Sequence, residues 1–239
     1  VNLCSAEQDG LYALNSLADE AGANKINKNL LQTPISDVPE SGNLDASNLG
    51  LLIANLMPEN SIVSDEAATS SFLVTPQALK AKPHDWLCLT GGSIGQGLPL
   101  AVGAAIAKPD RPVITLHGDG GAMYTVQALW TQARENLNIT NIIFANHSYE
   151  ILKIELSRVG AVKTGQRADS MFSLDNPKLD WIKLSQSMGV PCYEPKTVED
   201  FIKNFSSCVH EDGPSTLSLI HISEPTRRRG ISYAVFCLK

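Results

Sequence analysis

The chain has 239 residues, of which 43% are hydrophobic, enough to bury a sizeable core. Its formal charge of −6 provides no positive surface for a phosphate backbone, so nucleic acid is not expected as a partner. No apolar run reaches the roughly 18 residues of a membrane span, and the opening residues lack an export signal, which predicts no membrane partner and a cytoplasmic location.

The first predicted element is a helix from Leu11 to Ala23, whose leucines fall on one face. Because the chain does not begin with Met, we expect further residues of the protein to precede it. A polar stretch rich in Asn, Pro and Ser follows at residues 24–44 and has no apolar periodicity. This composition is typical of a linker and predicts a domain boundary near Leu44.

Helical and strand patterns alternate over residues 45–216. The strand patterns VITLH, Val113 to His117, and ITNIIFA, Ile139 to Ala145, are nearly continuous apolar runs, which are typical of a parallel sheet covered on both faces. The other predicted elements are, in chain order, a helix Ala46 to Leu56, strands Ser61 to Asp65 and Trp86 to Leu89, helices Gly97 to Ala107 and Thr125 to Asn136, a helix beginning near Tyr149, a loop Val159 to Asn176, a helix Asp180 to Met188, a strand Val190 to Tyr193, a helix Val198 to Cys208 and a strand at Pro214. The alternation predicts a doubly wound α/β fold.

Residues 217–239 differ in character from the rest of the chain. From Leu217 the sequence reads LSLIHISEPTR, and after three further residues it closes with ISYAVFCLK. This segment resembles a translated sequencing-library adapter, so we expect it to be non-native and the fold to end at residue 216. The alternative is a terminal strand followed by a basic tail.

A glycine-rich turn follows the strand VITLH, with the residues Gly118, Asp119, Gly120 and Gly121. Open α/β sheets bind ligands beyond the carboxyl ends of their strands. Glycines let the backbone approach a ligand closely, so the N–H groups here suit a diphosphate, and the Asp119 carboxylate suits a divalent cation. Taken alone, Asp119 could instead be a helix N-cap.

A second polar turn, NHSY, follows the strand ITNIIFA, and neighbouring parallel strands would place it beside Asp119. Mg²⁺ favours hard oxygen ligands and rarely takes all of them from protein. The Asp119 carboxylate, the Asn146 amide oxygen and the Ser148 carbonyl are therefore candidate ligands, together with two diphosphate oxygens. Asn146 alone could be an ordinary turn residue. His147, like His117 at the end of the previous strand, is a candidate proton donor or a structural histidine.

The segment from Gly118 to Asn146, GDGGAMYTVQALWTQARENLNITNIIFAN, resembles the thiamine-diphosphate signature, in which G-D-G is followed after some two dozen residues by Asn. The stretch before it, LTGGSIGQGLPLAVGAAIAKPDRPVITLHGDG, is similar to that of acetolactate synthases and benzoylformate decarboxylases. The resemblance to this family of thiamine-diphosphate-dependent enzymes covers about residues 45–215. The first 23 residues resemble the tail of the family's central domain.

The resemblance implies that thiamine diphosphate and Mg²⁺ are the cofactors of the intact enzyme. The metal ligands that it implies are Asp119, Asn146 and Ser148. The cofactor-binding residues that it implies are Thr69, Gly92, Ser93, Ile94, Gly118, Gly120, Gly121 and Tyr149. In this set, Ile94 would hold the cofactor in its bent shape.

Two positions need separate comment. The family often has two consecutive Asn residues, whereas here Ala145 occupies the first place, which leaves the implied metal ligand Asn146 unchanged. On the helix after Tyr149, Leu152 and Glu155 would face the substrate by the same resemblance. Their alternatives are a core leucine and a solvated charge.

The implied activity is decarboxylation of a 2-oxo acid followed by carboligation, as in acetolactate synthases. The alternative is a benzoylformate-type decarboxylase. In this family the glutamate that activates the cofactor comes from a separate domain of a partner subunit, which would lie upstream of Val1. We therefore expect the intact enzyme to be a homodimer or homotetramer, and this chain alone to be inactive.

A short-chain dehydrogenase is a more remote alternative. The pattern T-G-x-x-x-G-x-G from Thr90 to Gly97 matches the nucleotide loop of those enzymes, and Tyr149 with Lys153 matches their catalytic pair. However, the interval between Gly97 and Tyr149 is too short for the elements that those enzymes place between the two motifs.

Overall fold

The computed structural model describes residues 4–5, 7–22, 35, 37–160 and 165–220. The chain divides into two compact units, Val1–Pro34 and Ile35–Lys239. In the first unit, helix α1, Gly10–Glu20, begins where the Asp9 carboxylate accepts hydrogen bonds from N–H groups of the first turn. The helix predicted in this region is therefore found, whereas most of the predicted linker lies outside the described residues.

The second unit is an α/β sandwich built around one sheet. The strands described in it, β1 to β6, are Ile62–Glu66, Asp85–Cys88, Val113–Gly118, Ile139–Ala145, Cys192–Tyr193 and Ser215–Ile220. The helices described in it, α2 to α10, are Ala46–Leu56, Ser71–Ala78, Gly97–Ala107, Asp119–Ala122, Ala128–Arg134, Glu150–Arg158, Gln166–Met171, Trp181–Ser187 and Val198–His210. Every strand pair is parallel, in the order β2-β1-β3-β4-β6-β5. The predicted doubly wound fold is confirmed.

Strand β4 illustrates why both sheet faces need helices. Successive side chains of a strand point to opposite faces, and in β4 both sets include large buried apolar residues. Ile142 and Phe144 pack into the cluster that includes residues of α2 and α10. Ile143 packs into the cluster on the other face, with residues of α4, α6 and α9. Each such fully buried side chain contributes about 1.5–3 kcal/mol.

Strand β6 corrects the prediction that the fold ends at residue 216. Leu217 and Leu219 are buried in the same cluster as Ile142, and Leu217 lies opposite Ile142 in the β4–β6 register. The first four residues of the adapter-like segment thus complete a strand inside the sheet, because their alternating leucines suit its buried face. Residues 221–239 lie outside the described residues.

Two further elements differ from the sequence predictions. Helix α3 was not predicted, because Ser71–Ala78 contains Pro76 and lacks a clear amphipathic pattern. The predicted loop from Val159 to Asn176 contains the short helix α8, Gln166–Met171. In the part of the chain that is described, no helix combines the length and the apolar character that crossing a membrane requires.

Candidate functional site

The candidate site lies where the strand order of the sheet reverses. From β1 the chain passes to β2 on one side, and the strands from β3 onward lie on the other side. Loops leaving β1 and β3 therefore diverge, and in open α/β sheets the crevice between two such loops, at the carboxyl edge, is where ligands bind. Glu66 ends β1 and Gly118 ends β3, so the glycine-rich turn predicted from the sequence lies at this crevice.

Asp119 is the buried acid of the crevice, with only 1% of its surface exposed. Its Oδ1 accepts a hydrogen bond from the Gly120 N–H at 2.8 Å, and its Oδ2 accepts one from the His147 N–H at 2.7 Å. Burial raises the pKa of Asp119 to about 6, since these hydrogen bonds only partly offset the loss of water and the nearby Asp175 charge adds to the rise.

The turn after β4 lies beside Asp119, as the sequence predicted. Asn146 Oδ1 accepts a hydrogen bond from the Ser148 N–H at 3.0 Å, which closes the turn. Between them, His147 adopts a left-handed backbone with φ of 54°, and its Nδ1 lies 3.8 Å from Asp119 Oδ2. The three predicted metal-ligand residues, Asp119, Asn146 and Ser148, are therefore brought together.

A neighbouring segment holds this turn in place. The Tyr149 N–H donates to the Phe172 carbonyl at 2.9 Å, and the Leu174 N–H donates to the His147 carbonyl at 2.8 Å. The Ser148 hydroxyl also donates to the Phe172 carbonyl, at 3.1 Å. The residues that follow α8 thus form a short antiparallel strap along the turn, which sequence reasoning had treated as loop.

The glycines of the turn after β3 differ in which atoms lie close to their Cα. A Cβ on Gly120 would lie 2.5 Å from the Tyr149 ring, so the ring packs directly on this backbone. A Cβ on Gly121 would lie 3.1 Å from Glu66 Oε1. At Gly118 the nearest atom would be the Ala67 carbonyl oxygen at 4.0 Å, which leaves ordinary space. Close approach therefore requires glycine most strongly at Gly120.

The loop after β2 borders the crevice on its other side. Gly92, Ser93 and Ile94 are exposed, with 49% of Ile94 accessible. Gly92 and Gly95 both have positive φ, 72° and 92°, which gives the loop its sharp course. Gly95 donates its N–H to the carboxylate of Glu66, so the loop is joined to the end of β1.

Glu66 and His117 form a buried pair whose acid, Glu66, was not among the predicted site residues. They lie opposite each other in the β1–β3 register, with Glu66 Oε2 3.2 Å from His117 Nε2. Burial opposes ionisation of Glu66, but the His117 ring and the N–H groups of Gly95 and Gly97 outweigh it, and the pKa of Glu66 lies below its ordinary value. Its position at the carboxyl end of a predicted strand, where open α/β sheets bind ligands, was the available signal.

The remaining predicted site residues lie around this centre. Thr69 is buried in the short turn that follows β1, and helix α7 lies against that turn. On α7, Leu152 is 45% exposed, and Glu155 pairs with Arg158 at 2.5 Å. Lys153 pairs with Glu150 at 3.2 Å. The roles of Thr69, Leu152 and Glu155 stay predictions.

The donor set suits a hard cation. No group of three or more His, Cys, Asp or Glu side chains with metal-site geometry occurs among the described residues. What the crevice offers is one buried carboxylate with a raised pKa, next to amide and carbonyl oxygens of the Asn146 turn. This set fits a small divalent cation whose remaining ligands are oxygens of a diphosphate. It does not fit zinc, which is usually bound by His and Cys side chains.

Residues 69–219 match the family described as thiamine pyrophosphate enzyme, C-terminal TPP binding domain. The match covers more than half of the chain, and the chain belongs to this family. The predicted cofactor, thiamine diphosphate, is confirmed as that of the family. With this match, the dehydrogenase alternative is left without support.

Relatives of the chain include synthases and decarboxylases. It is 41% identical over 214 residues to "Putative acetolactate synthase large subunit IlvX" of Mycobacterium tuberculosis (strain ATCC 25618 / H37Rv), which covers 87% of this chain and 40% of the relative. It is 28% identical over 184 residues to the benzoylformate decarboxylase of Pseudomonas aeruginosa, covering 77% of this chain and 34% of that protein.

Among solved structures, the Rhodococcus jostii RHA1 thiamine diphosphate-dependent 4-hydroxybenzoylformate decarboxylase matches with a TM-score of 0.69 and 27% identity. The match covers 87% of this chain and 38% of that one. The chain thus spans less than half the length of each of these proteins.

Proposed function

We propose that this chain binds the diphosphate end of thiamine diphosphate through Mg²⁺, as part of an enzyme that decarboxylates a 2-oxo acid. The observation that carries the proposal is the buried carboxylate of Asp119 at the reversal of strand order, beside the turn after β4. Its raised pKa, about 6, reflects a buried negative charge that its hydrogen bonds compensate only in part. A divalent cation at this place would compensate it.

The proposed protein ligands are the Asp119 carboxylate, the Asn146 amide oxygen and the Ser148 carbonyl. Two hydrogen bonds support this set: Asn146 accepts from the Ser148 N–H, and Asp119 accepts from the N–H of the residue between them. The residues that carry the three ligand groups therefore belong to one hydrogen-bonded unit, which reduces the ordering cost of binding. All three donors are oxygens, the ligand type that Mg²⁺ prefers.

The proposed contacts with the organic part of the cofactor lie on both sides of the crevice. The turn Gly118–Gly121 and Thr69 would hold the diphosphate, and Gly92 to Ile94 would border the aminopyrimidine. The Tyr149 ring, which packs on Gly120, would fix the width of the crevice at the diphosphate end. The chemistry that bound thiamine diphosphate supplies is stabilisation of the negative charge left when a 2-oxo acid loses carbon dioxide.

For the whole enzyme we propose acetolactate-synthase-like carboligation, which is supported by the name of the relative at 41% identity. Decarboxylation of an arylglyoxylate is the second candidate, because the solved structure that matches with a TM-score of 0.69 is a 4-hydroxybenzoylformate decarboxylase. Leu152 and Glu155 on α7 are the proposed substrate-facing residues. The activating glutamate is proposed to come from another domain in a homodimer or homotetramer, so the isolated chain should show no turnover.

Calorimetric titration with thiamine diphosphate tests the binding proposal. We expect the purified chain to bind it only when Mg²⁺ is present, and Asp119→Ala to weaken that binding at least about a hundredfold, since a charged metal ligand is lost. Asp110→Ala is the matched control, because Asp110 is an exposed aspartate that precedes β3 at the other edge of the sheet.

Two results would contradict the proposal. One is thiamine diphosphate binding that is equally strong when EDTA has removed the metal. The other is Asp119→Ala binding as tightly as the Asp110→Ala control. Assays of the full-length enzyme with pyruvate and with benzoylformate would then separate the synthase from the decarboxylase.

A further inference from the structure

We infer that Glu66 is a positioning residue that fixes the loop carrying Ile94, and so determines where that side chain meets the cofactor. This inference rests on the proposed function, in which residues 92–94 border the aminopyrimidine. Glu66 is not in the glycine-rich turn or in the turn after β4. It acts through the backbone of Gly95 and Gly97 rather than by touching the cofactor.

The polar backbone groups of Gly95 and Gly97 are all bound by side chains. Glu66 Oε1 accepts from the Gly95 N–H, and Glu66 Oε2 accepts from the Gly97 N–H, each at 2.5 Å. The Gly95 carbonyl accepts from the Thr125 hydroxyl at 2.9 Å. The Gly97 carbonyl accepts from the Ser64 hydroxyl, also at 2.9 Å. Side chains from β1 and from the turn before α6 thus hold this short stretch from two sides.

The two hydrogen bonds that Glu66 accepts are the strongest of the four. Its carboxylate is 4% exposed, and hydrogen bonds from N–H groups to an ionised acceptor in a buried site are about twice as strong as neutral ones. The two oxygens are separate acceptors, one for each amide. Only a carboxylate offers two equivalent acceptor oxygens at this spacing. In Glu66→Gln one of these oxygens becomes an NH2 group, so the Gly95 or the Gly97 N–H would face another donor instead of an acceptor.

Ile94 depends on this backbone clamp because its own described backbone bond is local, from its N–H to the Gly92 carbonyl at 2.9 Å. Nearly half of its surface is exposed, so packing holds the side chain only in part. Its direct neighbour Gly95 has φ of 92°, and a Cβ there would lie 2.9 Å from Tyr124 Cβ. The backbone of Gly95 is therefore confined by Glu66, by Thr125 and by this close approach. Because Ile94 is the preceding residue, its position is determined by the same constraints.

The test combines hydrogen exchange with cofactor titration on the 239-residue chain. For Glu66→Gln we expect the amides of residues 95–97 to exchange about tenfold faster, since at least one loses its acceptor, while amides of β4 exchange as before. We expect the affinity for thiamine diphosphate with Mg²⁺ to fall about tenfold. Glu59→Gln, at an exposed glutamate, is the control and should change neither measurement.

A second pair of variants covers the case in which Glu66→Gln does not fold. Thr125→Val removes the hydroxyl that holds the Gly95 carbonyl but keeps the shape of the side chain, and Thr125→Ser keeps the hydroxyl. We expect Thr125→Val to weaken cofactor binding several-fold and Thr125→Ser to restore it. A purely structural role would instead lower the folded fraction and leave the affinity of the folded protein unchanged.

The outcomes separate this inference from the proposed function. If the wild-type chain binds and Glu66→Gln loosens residues 95–97 but binds equally well, the positioning role is overturned and the proposed function stands. Unchanged exchange at residues 95–97 would overturn it as well. If the wild-type chain does not bind thiamine diphosphate with Mg²⁺, both the proposed function and this inference are overturned, before any variant is compared.

Discussion

Glu66 and Asp119 are buried carboxylates at the carboxyl ends of neighbouring strands, and each accepts hydrogen bonds from two backbone N–H groups. Burial opposes ionisation at both. Around Glu66 the ring of His117 and the two amides outweigh it, so the pKa lies below the ordinary value. Around Asp119 the amides do not suffice, and the pKa rises to about 6.

The difference shows for which of the two acids the chain itself compensates the buried negative charge. Glu66 has its compensating groups within the chain, as is expected of a residue that holds a loop. Asp119 is left with a charge that its surroundings compensate only in part, as is expected of a residue that binds a cation. Hydrogen bonds from amides alone do not distinguish the two roles, whereas the other side chain beside each acid does: His117 favours the ionised form of Glu66, and Asp175 disfavours that of Asp119.

The largest expected effect concerns the ionisation of Asp119 in metal-free solution. Its folded-state pKa, about 6, exceeds the ordinary 3.8, so the folded chain retains a proton that the unfolded chain has lost. The free energy of unfolding should therefore fall as the pH rises from 3.8 through about 6, by on the order of 3 kcal/mol from this group. Urea unfolding with EDTA, compared between wild type and Asp119→Asn, measures it, and equal pH slopes would contradict it.

Glu66 should behave in the opposite way. Because its folded-state pKa is lowered from 4.5, it contributes stability above that pH, and the contribution is lost as the pH falls through the folded-state value. At neutral pH we expect Glu66→Gln to lower the free energy of unfolding by about 2 kcal/mol, since a buried donor loses its acceptor. The cost should shrink in acid. A loss no larger than that of Glu59→Gln would count against this account.

A smaller effect is expected at the glycine next to Asp119. Gly120→Ala would place a Cβ 2.5 Å from the Tyr149 ring, and the half-buried ring must shift outward. We expect a loss of about 1 kcal/mol in thermal or urea unfolding. Gly118→Ala is the matched control, because the nearest atom to its Cβ would be 4.0 Å away. Equal losses for both variants would show that the contact with Tyr149 is unimportant.

The smallest effect should come from an exposed carboxylate. Glu155 pairs with Arg158 on the surface of α7, and both side chains are nearly half exposed. Such pairs contribute little, so Glu155→Gln should change the free energy of unfolding by less than about 0.5 kcal/mol. A loss approaching that of Glu66→Gln would mean that solvent exposure does not determine how much each carboxylate contributes to stability.

Much of the second unit could be predicted from the sequence. The helix Gly97–Ala107 and the strand Ile139–Ala145 have the predicted bounds, because an apolar run with clear ends leaves few alternatives. Helix α3 escaped prediction because its residues show no clear period and include Pro76. The strand Ser215–Ile220 was cut short because the origin of its last four residues, rather than their apolar alternation, guided the prediction.

The sequence by itself determined the order of the elements and the two polar turns, because both depend on local pattern: apolar periodicity for the sheet, and glycine, Asp119 and Asn146 after buried strands. The tertiary structure alone decided what surrounds Glu66. Glu66 meets His117 only through the β1–β3 register, and Gly95 only through the fold of a distant loop. A pKa depends on neighbours within a few ångströms, and those neighbours are far apart in the chain.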